Sequence, residues 1–315
     1  MPAPTLTAPP GYWIKKRYQS RSTYRNHHLP PQCQDQRWSK NFLLTLYLWA
    51  GSQDDPWQFT DTSLVEALQC IFDVVYSDIG YKVTTQGCVF GVATQRLVEW
   101  RSNFGSTGLA IMIDFFARNS DTEPKVLATA LLRDFSFLFE DMDNLDTMQA
   151  FRSPFMLQLF ATAHLHSIVG HAHVTALKTD VLALTGMQGV IALCATSLER
   201  AIKWLRKGTV DIDARTPDVG PAQMKRKLRT PKTFNPATGK DSTIQNTFSI
   251  GNWGDVTAAY VISVRAKGDI FMKDLVSTAC KLLKKKSGGL DKYLHLSDED
   301  DNDDDDNIDC RTLLW

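Results

Sequence analysis

The sequence predicts a mainly α-helical protein, an irregular multi-helix domain with a disordered N-terminal arm and a disordered acidic C-terminal tail. Between residues 61 and 205 the apolar side chains recur at spacings of three and four, the period of helices with one buried face. The apolar fraction of 43% and the charged fraction of 22% are those of an ordinary globular chain. Both ends have compositions unsuited to a core, basic and proline-punctuated at the start and almost purely acidic at the finish.

Residues 1–38 read as the arm. Prolines at 2, 4, 9, 10, 30 and 31 bracket a basic, aromatic run that includes Tyr12, Trp13, Lys15, Lys16, Arg17 and Tyr18. A helical core is expected over 39–208. Leu64, Leu68, Ile71, Phe72, Val75 and Ile79 mark a helix over 61–79, and Ser63 with Glu66 has the spacing of a capping box. From Val89 to Phe115 the apolar residues are spaced 4, 4, 3, 4, 4, 3 and 4, which keeps one face apolar for about seven turns. Gly105 and Gly108 leave open whether this is one helix or two.

A further helix is expected over 121–134, with Pro124 confined to its first turn. Ser153 and Pro154 are an N-cap and a first helical residue. Met187, Val190, Ile191, Cys194, Leu198, Ile202 and Leu205 form another amphipathic stripe, with Arg206 and Lys207 at its C-terminal end, where cations suit the helix dipole. Residues 209–250 read as a basic Pro/Gly loop or linker. Residues 251–286 read as a second helical segment packing on the core through Trp253, and Ser287-Gly288-Gly289 is expected to end it. Residues 287–315 read as the tail.

Charge is sorted along the chain although it sums to zero. Residues 1–40 carry net +6, 41–199 net −9, 200–297 net +11 and 298–315 net −8. A basic face can hold an anionic partner even when the whole protein is neutral. Lys225, Arg226, Lys227 and Arg229 form one basic cluster, and Lys284, Lys285 and Lys286 another. Both have the character of segments read by nuclear import factors or by phosphates. Aromatic residues in the arm add stacking surface for bases. Ser297 precedes Asp298-Glu299-Asp300, a setting for an acid-directed kinase, and its phosphorylation would add about −1.5 to −2 charges to the tail. The tail is also a potential competitor for the chain's own basic region.

Other chemistry is sparse. Four of the seven histidines, His164, His166, His171 and His173, fall within ten residues. On a continuous helix His164 and His171 share a face, which makes them the candidate metal ligands, against the reading of ordinary core or helix-end histidines. No catalytic residue and no cofactor is predicted. Gly239-Lys240-Asp241-Ser242 resembles the end of a phosphate-binding loop, but Phe234 stands where that loop needs its first glycine, and no strand is expected to lead in. The six cysteines, at 33, 70, 88, 194, 280 and 310, contain no C-x-x-C pair and read as reduced, mostly buried side chains. No apolar run is expected to approach the ~18–20 residues of a membrane span, and the N-terminus lacks a secretory pattern. The expected location is nuclear, otherwise cytoplasmic, and not secreted.

Phe234-Asn235-Pro236-Ala237-Thr238-Gly239-Lys240, followed by Phe248-Ser249-Ile250-Gly251-Asn252-Trp253-Gly254 and Tyr260, resembles the C-terminal part of a family of uncharacterised fungal proteins. Phe151-Arg152-Ser153-Pro154-Phe155, Ala192-Leu193-Cys194-Ala195 and Leu198-Glu199-Arg200 are similar to its helical core, and the likeness spans about residues 85–285. It implies a predominantly helical protein and assigns no activity to any residue. The leading expectation is therefore a non-enzymatic protein that binds a nuclear protein or nucleic-acid partner through residues 200–286 and the arm. A second is a metal-dependent, nuclease-like enzyme or remnant of a mobile element. A third is a helical scaffold whose acidic surface meets a basic partner. Oligomeric state is not legible.

Overall fold

A computed structural model describes residues 23–210, 231–236 and 238–291, of which 284–291 are described by their backbone alone. The fold is mainly α. A π-turn at Trp38–Phe42 leads into α1 (Leu43–Gly51), followed by α2 (Asp61–Val75), α3 (Cys88–Arg118) and α4 (Pro124–Leu132). Next, α5 (Pro154–Phe160) runs through a second π-turn, Ala161–Leu165, into the short α6 (His166–Ile168). Then come α7 (Thr179–Thr185), α8 (Gln188–Arg206), a two-stranded antiparallel ribbon of β1 (Thr233–Asn235) and β2 (Lys240–Ser242), α9 (Ile250–Arg265) and α10 (Gly268–Asp291).

The fold is organised around α8, which packs against α1, α3, α4, α5 and α9. Every residue from 189 to 202 is buried. The expected single apolar stripe is thus corrected: this helix is enclosed all round, as a central core helix is. Thr179–Arg206 contains a window of mean hydropathy 1.7, long and apolar enough to cross a membrane by length and composition. That corrects the expectation that no run reaches this level. Here the stretch is the core of the fold, clothed by other helices.

Local signals account for several helix boundaries. Ser153 Oγ accepts from the Met156 N–H at 3.2 Å, and Pro154 opens α5 without an amide to satisfy. Glu123 caps α4 in the same way at 2.9 Å. Helix α4 stops at Leu132, short of the expected 134, because Asp134 and Phe135 turn left-handed with φ of 51° and 56°. The cap of α2 is Thr60, whose Oγ1 accepts from the Ser63 N–H at 3.1 Å, so Ser63 is inside the helix it was expected to cap. The helix ends at Val75, where Tyr76 leaves helical geometry, four residues before the expected end.

Gly105 and Gly108 do not break α3. They let other side chains approach its backbone. A Cβ at Gly108 would lie 2.2 Å from Ser197 Oγ, and one at Gly105 would lie 2.9 Å from Phe248 Cβ. Ser287-Gly288-Gly289 does not end α10, whose backbone continues to Asp291. Glycine lowers helix stability by about 1 kcal/mol per residue but does not forbid it.

Two expected irregular stretches hold structure. Residues 23–38, assigned to the arm, are packed: Leu29, Cys33 and Trp38 are buried, and the Tyr24 hydroxyl donates to the Gln86 carbonyl at 2.9 Å. Arg37 lies over the Tyr76 ring at 4.5 Å and pairs with Asp35 at 2.7 Å and Asp78 at 3.0 Å. Within 209–250, the ribbon and a 3-10 turn at Ile244–Asn246 precede α9. A strand therefore does lead into Gly239, but Gly239 (φ 65°) closes a hairpin, its N–H donating to the Asn235 carbonyl at 2.9 Å. The geometry is a turn between strands, not a phosphate cradle before a helix. Helix α9 covers α8, and α10 covers α5 and α7. Cys33, Cys194 and Cys280 are buried, Cys70 and Cys88 are half-buried, and Cys310 lies outside the described residues.

Candidate functional site

Enclosing α8 forces its polar residues to find partners inside the protein, since an unpaired buried polar group costs about 1–3 kcal/mol. They meet α3 on one side and the segment 244–260 on the other. Ser197 Oγ donates to the Phe104 carbonyl at 2.6 Å. Thr196 Oγ1 lies 3.1 Å from Thr257 Oγ1, which also accepts from the Trp57 indole N–H at 2.9 Å. Glu199 accepts from the Tyr260 hydroxyl at 2.7 Å and forms an ion pair with Lys203. Burial and the neighbouring carboxylate push the Tyr260 hydroxyl far above its ordinary pKa, so it remains a donor. Phe135 and Phe151, both left-handed non-glycine residues, set their rings edge-on to Tyr260, each at 6.3 Å. Such backbone strain persists only where the surroundings enforce it.

Arg200 is the centre of this seam. It is 4% exposed, and its guanidinium donates to the Gly105 carbonyl at 3.2 Å and to the Asn246 carbonyl at 3.0 and 3.4 Å. It lies 3.7 Å over the Trp204 ring, with the Phe248 ring at 5.6 Å. Burial pulls its pKa down to about 10, which still leaves it charged at neutral pH.

The seam fixes both ends of the basic loop. On the entry side, the Thr209 N–H and Oγ1 both bond the Trp204 carbonyl, at 3.2 and 3.1 Å. On the exit side, Asn246 Nδ2 donates to the Pro231 carbonyl at 2.9 Å and to Thr233 Oγ1 at 2.8 Å, while its own carbonyl is held by Arg200. Arg206, Lys207, Lys232 and Lys240 are exposed around this stem. Lys225, Arg226, Lys227, Arg229 and Ser297 lie outside the described residues, and Lys284, Lys285 and Lys286 fall on α10 where only the backbone is described.

The histidines do not lie on one continuous helix. The helix carrying His164 ends at Ile168, and Gly170 turns left-handed (φ 88°), so the face shared by His164 and His171 does not exist. His171 Nδ1 lies 3.1 Å from the Ile168 carbonyl, and His173 Nδ1 lies 2.6 Å from Asp180. Among the described residues no group of three or more His, Cys, Asp or Glu side chains could hold a metal ion.

His164 is fully buried among Trp100, Phe104 and Phe160, with ring centroids at 5.8, 6.4 and 6.2 Å. Neither of its ring nitrogens has a hydrogen-bond partner among the described residues. Burial, reinforced by His171, pulls its pKa from 6.5 down to about 3. The unfolded chain therefore takes up this proton first, and stability is lost as pH falls from 6.5 toward 3. His171, also lowered by burial, acts in the same direction. His164→Leu is expected to raise stability by about 1–2 kcal/mol at neutral pH and to flatten the decline between about pH 6.5 and 4.5. Thermal melts across that window check it; a variant that melts lower than the parent and keeps the same pH slope contradicts it.

Comparison of the chain with protein-family models, curated proteins and solved structures gave no match. The seam was half visible in the sequence. Glu199-Arg200 inside an apolar run is the signal of an enclosed polar pair, whereas their partners lie 46 to 95 residues away.

Proposed function

We propose that this protein is a non-enzymatic binder of nucleic acid in the nucleus, engaging its partner through the basic segment 200–286 with help from the arm. The observation supporting this reading is the anchored stem. Residues 203–232 carry nine Lys/Arg and three Asp, net +6, and both flanks of that loop are tied to the buried Arg200–Trp204 turn of α8. The two flanks are thus held beside one turn of a buried helix, and a stretch of net +6 between them suits a polyanion. Likeness to the fungal family over about residues 85–285 belongs to this proposal but adds no activity to it.

The test neutralises Lys225, Arg226, Lys227 and Arg229 to Gln in the full chain. Affinity for labelled nucleic acid and retention on heparin are expected to fall by roughly tenfold or more near physiological salt. The slope of log affinity against log salt is expected to shrink by up to about 3. Unchanged retention and slope would overturn the proposal. A fluorescent fusion of the same variant is expected to lose nuclear enrichment.

A further inference from the structure

We infer that the cleft between α4 and the loop 140–149 is a docking site for a basic segment of a second protein. That segment seats an apolar side chain in the cleft and sets its Lys or Arg residues against the carboxylates around the mouth. The surface is separate from the basic loop and does not rest on the nucleic-acid reading.

A local event in the backbone builds the cleft. Asp134 and Phe135, with φ of 51° and 56°, turn the chain out of α4, and Ser136 Oγ donates back to the Ala130 and Leu131 carbonyls at 3.1 and 3.2 Å. Phe137 and Leu138 are then buried, and Phe139 pairs with Ala150, which closes the base of the 140–149 loop. Between that loop and α4 lies a cleft of about 310 Å³, walled by Phe115, Leu127, Leu131, Met142 and Leu145. The volume is at the small end of ligand clefts, which run from about 300 to 1,000 Å³, and it suits an anchoring side chain better than a large cofactor. Apolar surface continues at the rim: Phe135 is 49% exposed and Met142 37%. A partner broader than the cleft covers both, and a flexible thioether adapts to the side chain it meets.

Charge defines the partner's chemistry. Asp134 and Asp143 line the cleft, and Glu140, Asp141 and Asp146 stand on the adjoining loop. Over residues 133–146 one Arg meets five acids, net −4. The nearby Lys267 is engaged with the Thr147 carbonyl. Among the described residues none of these five carboxylates is in an ion pair. Such a rim repels a phosphate polymer. A segment that mixes cations with an apolar residue matches both features, with complementary charge steering the encounter and a filled pocket holding the complex.

The experiment measures fluorescence anisotropy of the full chain with a labelled peptide copying residues 221–230, in which Met224 and Leu228 stand among four cations. Asp134→Asn with Asp143→Asn is expected to weaken peptide binding roughly 3- to 10-fold. Melting temperature is expected to hold, since Asn also tolerates left-handed backbone, and heparin retention is not weakened. Replacing both apolar residues of the peptide by Ser is expected to weaken binding roughly tenfold or more. A peptide without them that binds as well as the original overturns the cleft and leaves an acidic surface alone. Affinity unchanged in the Asn variant overturns the rim. The chain with Lys225, Arg226, Lys227 and Arg229 changed to Gln is the control for self-occupancy. If it binds the peptide tenfold more tightly than the parent, the chain's own segment fills the cleft and the assignment to a second protein falls. No binding by either chain overturns the site, whatever the heparin result says of the basic loop.

Discussion

Arg200→Ala is expected to destabilise the protein by about 3–5 kcal/mol, measured by chemical denaturation. The substitution removes charge-assisted bonds to the Gly105 and Asn246 carbonyls and the 3.7 Å stack on Trp204. It also leaves a cavity inside the most enclosed helix, where the surroundings relax only in part. Arg200→Lys is expected to recover little of the loss, because one ammonium cannot reproduce a planar fork that spans two carbonyls and an aromatic face. The same variant frees Asn246, so protease cleavage near 231–250 is expected to accelerate before the core unfolds. A loss below 1 kcal/mol with no change in cleavage would mean that α8 does not hold the stem.

Gly108→Val is the second large effect. Gly-to-larger changes inside a helix normally gain up to about 1 kcal/mol of propensity. Here a Cβ would sit 2.2 Å from Ser197 Oγ and 3.4 Å from Leu159 Cδ2, and valine adds two methyls beyond it. Overpacking of about 1–3 kcal/mol adds to the loss of the Ser197 bond to the Phe104 carbonyl, about 1–3 kcal/mol. The sum outweighs the propensity gain, and a net loss of about 3 kcal/mol is expected. Ser197→Ala in the same chain is expected to restore part of it by removing the colliding hydroxyl. A double variant no more stable than Gly108→Val alone would show that the clash is not with Ser197.

The periodicity of Val89 to Phe115 located α3, and Ser153-Pro154 located the start of α5, because both signals are local. Ends were less legible for the same reason. Asp134 and Phe135 stop α4 through a left-handed backbone that no single residue type announces, and Thr60 outcompetes Ser63 as a cap by its place in the chain path. The stripe on α8 was read correctly as apolar, but which of its other faces is covered depends on α3 and α9, far away in sequence. The same holds for the site. Clustered lysines and arginines are visible in a string of letters, but the Asn246 tie that joins Pro231 to α8 needs Arg200 and Pro231 brought together in space. The histidines show the opposite case, a pattern of shared helix faces in sequence that the turn at Gly170 interrupts.

The enclosure of α8 has a bearing on how the chain is made. Thr179–Arg206 has the hydropathy of a membrane span, and its cover includes α9, which ends at Arg265. At a synthesis rate of about 5–20 residues per second, α8 leaves the ribosome roughly 3–12 seconds before that cover is complete. During this interval α8 is bare on its α9 side, and the partners that Asn246, Thr257 and Tyr260 supply to its polar residues are absent. The next stretch of chain to emerge is the charged segment 203–232, net +6. Charge at that point favours keeping the unfinished chain in water.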